Sequence, residues 1–254
     1  MRSSGDVDYE RHGDGYAMQR RTDPRIAACI HEALGGARTV LNVGAGAGSY
    51  EPADRRVVAV EPSRAMRMQR PARLGPAVEA VAERLPFRDR SMDASMAIVT
   101  VHQWSDPQRG LGELCRVSRG PVVVVTFDGD ALDRFWLAEY APEVIAAERR
   151  RYPAIDTIRR LLGARTEVRP IAIPIDCVDG FAEAYYARPE RFLDPAVRRA
   201  QSAWTFVTPE VADRSVARLR ADLESGVWDA RWAAWRTMPL YEGSLRLLVG
   251  HPEP

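Results

Sequence analysis

"TVLNVGAGAGSYEP", Thr39 to Pro52, places Gly44, Gly46 and Gly48 at alternate positions directly after a short apolar run. The run predicts a strand over 39–43 that ends in a tight turn. With no Cβ, glycine adopts backbone conformations closed to other residues, and backbone N–H groups at such a turn can approach a ligand closely. The stretch therefore reads as the opening of a βα unit, and its neighbours decide what kind.

Upstream, "TDPRIAACIHEAL" predicts a helix. Asp23 is the N-cap, Pro24 the first helical position, and Ile26, Cys29, Ile30 and Leu34 recur at helical spacing before Gly35 and Gly36 end it. Downstream, "RVVAVEP" predicts a strand over 56–60, and "PSRAMRMQR" a short helix. "SMDASMAIVTV" gives a strand near 93–101, and "PQRGLGELCRVS" a helix with Leu111, Leu114, Cys115 and Val117 inward. "GPVVVVTFD" is an unbroken β-branched run, as expected of a strand covered on both faces. Strands alternating with helices imply right-handed crossovers and a parallel sheet.

After Asp128 the pattern changes. Residues 130–165 read as helical with a break at "YPAID", and "TEVRPIAIPID" as a late or edge strand interrupted by Pro170 and Pro174. Residues 180–236 read as helical and aromatic, with Trp228, Trp232 and Trp235 on one helix face, and "GSLRLLVG" as a final strand. The division expected is a polar N-terminal segment over 1–22 and an α/β core over 23–129. A largely helical region over 130–240 follows, with a late strand near 168–175, then a last strand and tail over 241–254.

Composition bounds the function. The 254 residues suffice for one large domain, and 46% are hydrophobic. A net charge of +1 gives no global field to recruit nucleic acid or an anionic membrane. There is no lysine, all 36 basic residues being arginine, which excludes a P-loop lysine and a lysine Schiff base. Cys29, Cys115 and Cys177 are widely spaced and the histidines form no ligand motif, so no metal site is expected. The polar opening "MRSSGDVDYERHGDG" and the lack of long apolar runs lead to the expectation of a cytoplasmic protein without membrane contact.

Glu61 ends the second strand, 17 residues beyond Gly44, about one βαβ step. A carboxylate there can accept bonds from both hydroxyls of a ribose. A glycine loop with an acidic strand end suits a nicotinamide dinucleotide or S-adenosylmethionine, and a tight turn with no ligand is the plain alternative. The spacing here is GxGxG, whereas dinucleotide loops favour GxGxxG.

"VLNVGAGAGSYEP", "VVAVEPS", "AERLPFRDRSMDASMAIVTVHQW" and "DPQRGLGELCRVSRGPVVVVTFD", taken in order, resemble the class I S-adenosylmethionine-dependent methyltransferases. The likeness is to the small-molecule group related to ubiquinone and trans-aconitate methyltransferases, and it spans roughly residues 36–128. It implies an α/β fold: a Rossmann-like, doubly wound, mostly parallel seven-stranded sheet with an inserted helical cap. It implies S-adenosylmethionine as cofactor, with S-adenosylhomocysteine as product, and a small-molecule acceptor.

The resemblance also implies roles. Gly44, Ala45, Gly46 and Gly48 would wrap the methionine part of the cofactor and Glu61 would bind the ribose. Pro62 and Ser63 would lie along the adenine, the Ala82 N–H would meet an adenine nitrogen, and Leu85 would pack nearby. The carbonyl of Ile98 or Val99 would face the amino group. Residues 1–22 would be an N-terminal lid segment over a cofactor-binding core at 23–129, and residues 130–240 would be the substrate cap. In the lid, Tyr16 would cover the methionine end and Arg20 or Arg21 would reach its carboxylate, a disordered basic tail being the alternative. The chain departs from the family pattern at Asn42, where an aspartate is usual and the amide oxygen can still accept. It departs again at Val81, where Glu83 is the candidate substitute, with a merely solvated side chain as the alternative.

Methyl transfer from a sulfonium needs alignment, exclusion of water and, for some acceptors, removal of a proton. His102 in "VHQWSDP" follows the third strand, beyond whose carboxyl end ligands sit in open α/β sheets. Its free pKa near working pH makes it the candidate general base, with packing or capping as the alternative. Trp104, Tyr185, Tyr186, Arg188 and Trp204 are the candidate substrate residues, with core packing as the competing role of the aromatics. An oxidoreductase using NAD(P) and a non-catalytic S-adenosylmethionine-binding protein are the alternative functions. A nucleic-acid methyltransferase is disfavoured by the charge.

Overall fold

The computed structural model describes residues 20–252. Tyr16 and the lid segment before Arg20 lie outside the described residues.

Six strands form the central sheet: β1 (Thr39–Val43), β2 (Arg56–Val60), β3 (Ala94–Ile98), β4 (Val122–Phe127), β5 (Glu167–Pro170) and β8 (Leu245–Gly250). Their order is β2-β1-β3-β4-β8-β5. β2, β1, β3 and β4 run parallel, and β8 is antiparallel to both β4 and β5. A separate two-stranded ladder pairs β6 (Ile173–Pro174) with β7 (Leu240–Tyr241).

The expected seventh strand is reduced to one parallel bridge between Val60 and Val78, beyond β2. The Val78 N–H donates to the Ala59 carbonyl at 2.8 Å and the Glu61 N–H to the Val78 carbonyl at 3.0 Å. Pro71 and Pro76 precede this bridge, and proline has no N–H for a ladder, so the pairing does not extend.

Alternation along the strands sends neighbouring side chains to opposite faces. Val123, Val125 and Phe127 of β4 join a core with Ile26 and Ile30 of α1 (Pro24–Ala33) and with the cap aromatics Phe135, Trp136, Tyr186, Phe192 and Trp228. Val122 and Val124 face the other way, onto Leu111 and Leu114 of α3 (Pro107–Val117) and Ile158 and Leu162 of α6 (Ile155–Leu162). The helix over 155–162, expected within the cap, thus belongs to the layer against the sheet.

The rest of the cap is cut into short helices. Among them are α4 (Leu137–Tyr140), α5 (Pro142–Arg151), α7 (Pro195–Arg199), α8 (Pro209–Glu224) and α9 (Val227–Trp232), with 3₁₀ turns between. Pro142, Pro195 and Pro209 each stand at a helix start, where the missing N–H costs nothing. Between them the cap covers the carboxyl ends of β3 and β4, where Val99, His102 and Phe127 meet residues of α4 and α5.

Candidate functional site

The three glycines all take the left-handed backbone, with φ of +70° at Gly44, +51° at Gly46 and +95° at Gly48. Close neighbours reinforce the requirement. A Cβ on Gly44 would fall 2.1 Å from Thr100 Oγ1, and one on Gly48 would fall 2.3 Å from Leu74 Cδ1. The Gly44 and Ala45 N–H groups both donate to the Val60 carbonyl at 2.9 Å, which clamps the loop onto the end of β2.

Glu61 follows β2 and is buried. One of its oxygens accepts from the Gly46 N–H at 2.8 Å and the other from the Ser63 N–H at 2.9 Å. Burial pushes its pKa up, and these two backbone bonds pull it partly back. A carboxylate has about four acceptor positions, so two internal bonds leave room for a diol. Ser63 caps α2 (Arg64–Met68) by accepting from the Met66 N–H, and the Pro62 carbonyl accepts from Arg67.

Asn42 is buried in β1, and its amide nitrogen donates to Glu51 Oε1 at 3.0 Å. Arg70 meets the same carboxylate in a bidentate pair at 2.9 and 3.0 Å, with both side chains almost fully buried. The charge missing at position 42 is therefore present nine residues later, at Glu51, and balanced by Arg70. Arg70 also donates to the Gly75 carbonyl, tying the glycine loop to the turn that leads to Val78.

Ala82 and Leu85 are buried in the turn before β3, and the Leu85 N–H donates to Glu113 of α3. Glu83 turns toward the next loop, where its Oε1 accepts from Ser105 Oγ at 2.9 Å and from the Asp106 N–H at 3.0 Å. Glu83 thus braces this loop through one of its two carboxylate oxygens. Trp104 packs on this side too: a Cβ on Gly110 would lie 2.4 Å from its ring and 3.2 Å from Ala82 Cβ.

Ile98 ends β3, and Val99 then takes φ +50°, an outlying conformation for a β-branched residue. Its N–H still donates to the Val125 carbonyl at 2.7 Å. This reversal feeds the 3₁₀ turn Val101–Gln103 that carries His102. His102 stands 4.5 Å from the Tyr152 ring, and its Nε2 meets the Gln103 amide nitrogen at 2.8 Å. With that amide orientation Nε2 accepts and the ring proton sits on Nδ1. Burial, helped by the charges of Arg151 and Arg20, pushes the His102 pKa well below 6.5. The premise of a histidine titrating near working pH is corrected: here it is a neutral imidazole.

A pocket of about 680 Å³, counted to its mouth, opens beside His102. Phe127, Leu132, Leu137, Val144, Ile145 and Phe181 form its apolar lining. Glu148, Tyr152, Glu183, Gln201 and Ser202 join His102 as its polar lining. Arg20 also reaches the pocket, but its guanidinium is paired with buried Asp179 at 2.6 Å instead of being left for a cofactor carboxylate.

The five expected substrate residues do not line this pocket. Trp104 lies by Gly110 as described. Tyr186 donates to the Met238 carbonyl at 2.6 Å, and Arg188 donates to the carbonyls of Cys177 and Ala184. Tyr185 and Trp204 both pack against Phe192. These side chains hold the cap together. The lining residues Glu148, Tyr152, Gln201 and Ser202 were not foreseen; the one local signal is "RRYP", since a residue before proline leaves the helical region and Tyr152 turns inward with ψ 128°.

Residues 41–124 match the family model of a methyltransferase domain. No curated protein matches the chain. A solved structure from Anabaena variabilis, described as a candidate methyltransferase from an antibiotic biosynthesis pathway, is 28% identical, with 92% of this chain and 99% of that one covered and a TM-score of 0.85. A Thermotoga maritima S-adenosylmethionine-dependent methyltransferase shares the fold at 15% identity and a TM-score of 0.57, with 96% of each chain covered. A candidate methyltransferase from Bacillus halodurans does so at 15% identity and a TM-score of 0.55, with 90% of this chain and 99% of that one covered.

The chain carries a class I S-adenosylmethionine-dependent methyltransferase domain of the type 11 kind. Its cofactor is S-adenosylmethionine. The residues present fit that group. The left-handed glycine loop leaves a close approach open, and Glu61 offers a buried carboxylate at the strand end. Among the described residues no cluster of His, Cys, Asp or Glu is arranged to hold a metal, and no helix is long and apolar enough to cross a membrane.

Proposed function

We propose that the chain methylates a small molecule with an apolar body, in specialised metabolism. The observation that carries this reading is the pocket beside His102, walled by Phe127, Leu132 and Phe181 and adjoining the carboxyl ends of β3 and β4. Ligands of open α/β folds sit beyond these strand ends. The likeness to the Anabaena variabilis structure supports the metabolic setting.

Bound S-adenosylmethionine supplies an electrophilic methyl group on a sulfonium. Glu61 and the loop from Gly44 to Gly48 bind and orient it in this reading, with Ala82 and Leu85 beside the adenine. Phe127, Leu132 and Phe181 exclude water from the acceptor, which raises the strength of every polar contact left inside. His102 meets the acceptor as a neutral group and orients it by hydrogen bonding.

Calorimetric titration of the purified protein with S-adenosylmethionine, S-adenosylhomocysteine and NAD tests the reading. Saturable binding of the first two with no binding of NAD is expected. Binding of NAD alone would reject the reading.

A further inference from the structure

The pocket lining holds two chemically distinct sets of side chains. None of Leu132, Leu137, Val144 and Ile145 can hydrogen-bond. Besides Glu183, the polar set comes from three separate pieces of chain: the 3₁₀ turn at His102, the end of α5 at Glu148 and Tyr152, and the bend after α7 at Gln201 and Ser202. Glu183 is taken up by Ser244, and most of the other polar groups are committed as well. Tyr152 donates to Glu148 Oε1 at 2.8 Å, and Arg151 bridges Glu148 Oε2 at 2.9 Å and Ser202 Oγ at 2.8 Å.

Gln201 is the exception. It is 8% exposed, and its Nε2 is buried without a hydrogen-bond partner among the described residues. A buried amide N–H left unmade is costly, so its place beside a pocket points to a partner that arrives with the ligand. Its backbone is fixed: the Gln201 N–H donates to the Arg198 carbonyl, and the Gln201 carbonyl accepts from the Trp204 N–H. The side chain therefore projects from a rigid bend.

The chemistry of the partner follows from the surroundings. An amide N–H needs an acceptor. Ser202 Oγ accepts from Arg151, which leaves its own proton to donate. Arg20 and Arg151 are matched here by Asp179 and Glu148, so net charge does not select the partner and the unmet donor does. Unmet donors suit an oxygen with lone pairs, whereas an ammonium group has no lone pair to accept from them.

We propose that the pocket recognises an acceptor molecule with an apolar body and one electron-rich oxygen, a carboxylate, phenolate or carbonyl, held by Gln201 Nε2. This rests on the methyltransferase reading and narrows it to a substrate class. Gln201 is the specificity residue of that site, and an amine of the same shape is excluded.

The test uses the full chain saturated with S-adenosylhomocysteine, titrated with 4-phenylbutyrate and with 4-phenylbutylamine. Expected is binding of the acid and not of the amine. Gln201→Met should weaken the acid by about ten- to a hundredfold, the scale of one net hydrogen bond to a charged group. Val144→Trp, which crowds the apolar lining, should remove acid binding, and both variants should retain S-adenosylhomocysteine binding as the sign of a folded cofactor site. Failure of the wild type to bind S-adenosylhomocysteine would reject the methyltransferase reading itself. With that binding intact, three outcomes would each overturn the substrate class alone: no acid binding, equal binding of acid and amine, or unchanged acid affinity in Gln201→Met.

Discussion

Tyr50, at the end of the glycine loop, donates its hydroxyl to Asp179 in the cap at 2.7 Å, and Arg20 pairs with the other oxygen of the same carboxylate at 2.6 Å. One buried aspartate thus joins the cofactor loop, the cap and the chain that precedes α1. Burial and the neighbouring Asp179 push the Tyr50 pKa far up, so the hydroxyl remains a donor at every working pH. Tyr50→Phe removes the donor with little change of shape. It should cost about 1.5–3 kcal/mol in urea unfolding. Cofactor affinity should fall with it, and an unchanged unfolding midpoint would show that the contact does not constrain the loop.

Breaking the Glu51–Arg70 pair exposes a different cost. Both side chains are almost fully buried, so removing one leaves the other as an uncompensated charge. Glu51→Gln or Arg70→Met should each destabilise by about 3–5 kcal/mol. The double replacement Glu51→Leu with Arg70→Met should recover a large part of that loss, because no lone charge remains. Additive losses in the double variant would contradict the pairing.

Glu61 is expected to act on affinity more than on folding. Glu61→Ala should weaken S-adenosylhomocysteine binding by about 1–3 kcal/mol, measured by calorimetry. Some of that loss reflects the Gly46 and Ser63 N–H groups, which lose their acceptor. Glu61→Gln keeps one acceptor oxygen and should lie between the two. Equal affinity in all three proteins would remove Glu61 from the ribose.

Two buried groups impose opposite pH slopes. Glu183, on the cap, accepts from the Ser244 N–H and Oγ at 2.8–2.9 Å, and burial raises its pKa from 4.5 to about 7. Arg246 and Arg134 pull in the other direction without overcoming burial. The folded state holds this proton longer than the unfolded chain, so its contribution is complete below pH 4.5 and is lost as pH rises to about 7. His102 has a lowered pKa, so its contribution is complete above pH 6.5 and is lost as pH falls below that. Melting temperature followed from pH 4.5 to 7 should therefore fall with pH in His102→Gln and rise with pH in Glu183→Gln. Nuclear magnetic resonance of the wild type should show a His102 ring that stays neutral at pH 6. Identical slopes in both variants, or a His102 midpoint near 6.5, would refute the assignment.

Much of the cofactor side is legible in the sequence because it is local. A strand, three glycines and a carboxylate one βαβ step later determine each other through backbone geometry. The pocket is not legible in that way. Tyr152, Gln201 and His102 are far apart in the chain and meet only through tertiary packing of short, proline-started helices. Helical spacing shows which aromatic residues are buried, and Tyr185, Tyr186 and Trp204 are indeed buried or packed against the core. It does not separate a side chain that fills the core from one that borders a cavity. Asn42 shows the same limit: its replacement charge, Glu51, is recognisable only once Arg70 is seen beside it.

The cap core and one face of the sheet form a single hydrophobic cluster, from Ile26 through Phe127 to Trp228. In evolutionary terms the cap is not an exchangeable module. A new cap would have to rebuild half of the sheet's packing at the same time. Single replacements at lining positions such as Gln201 and Ser202, which lie outside that cluster, change the pocket and leave the shared core in place.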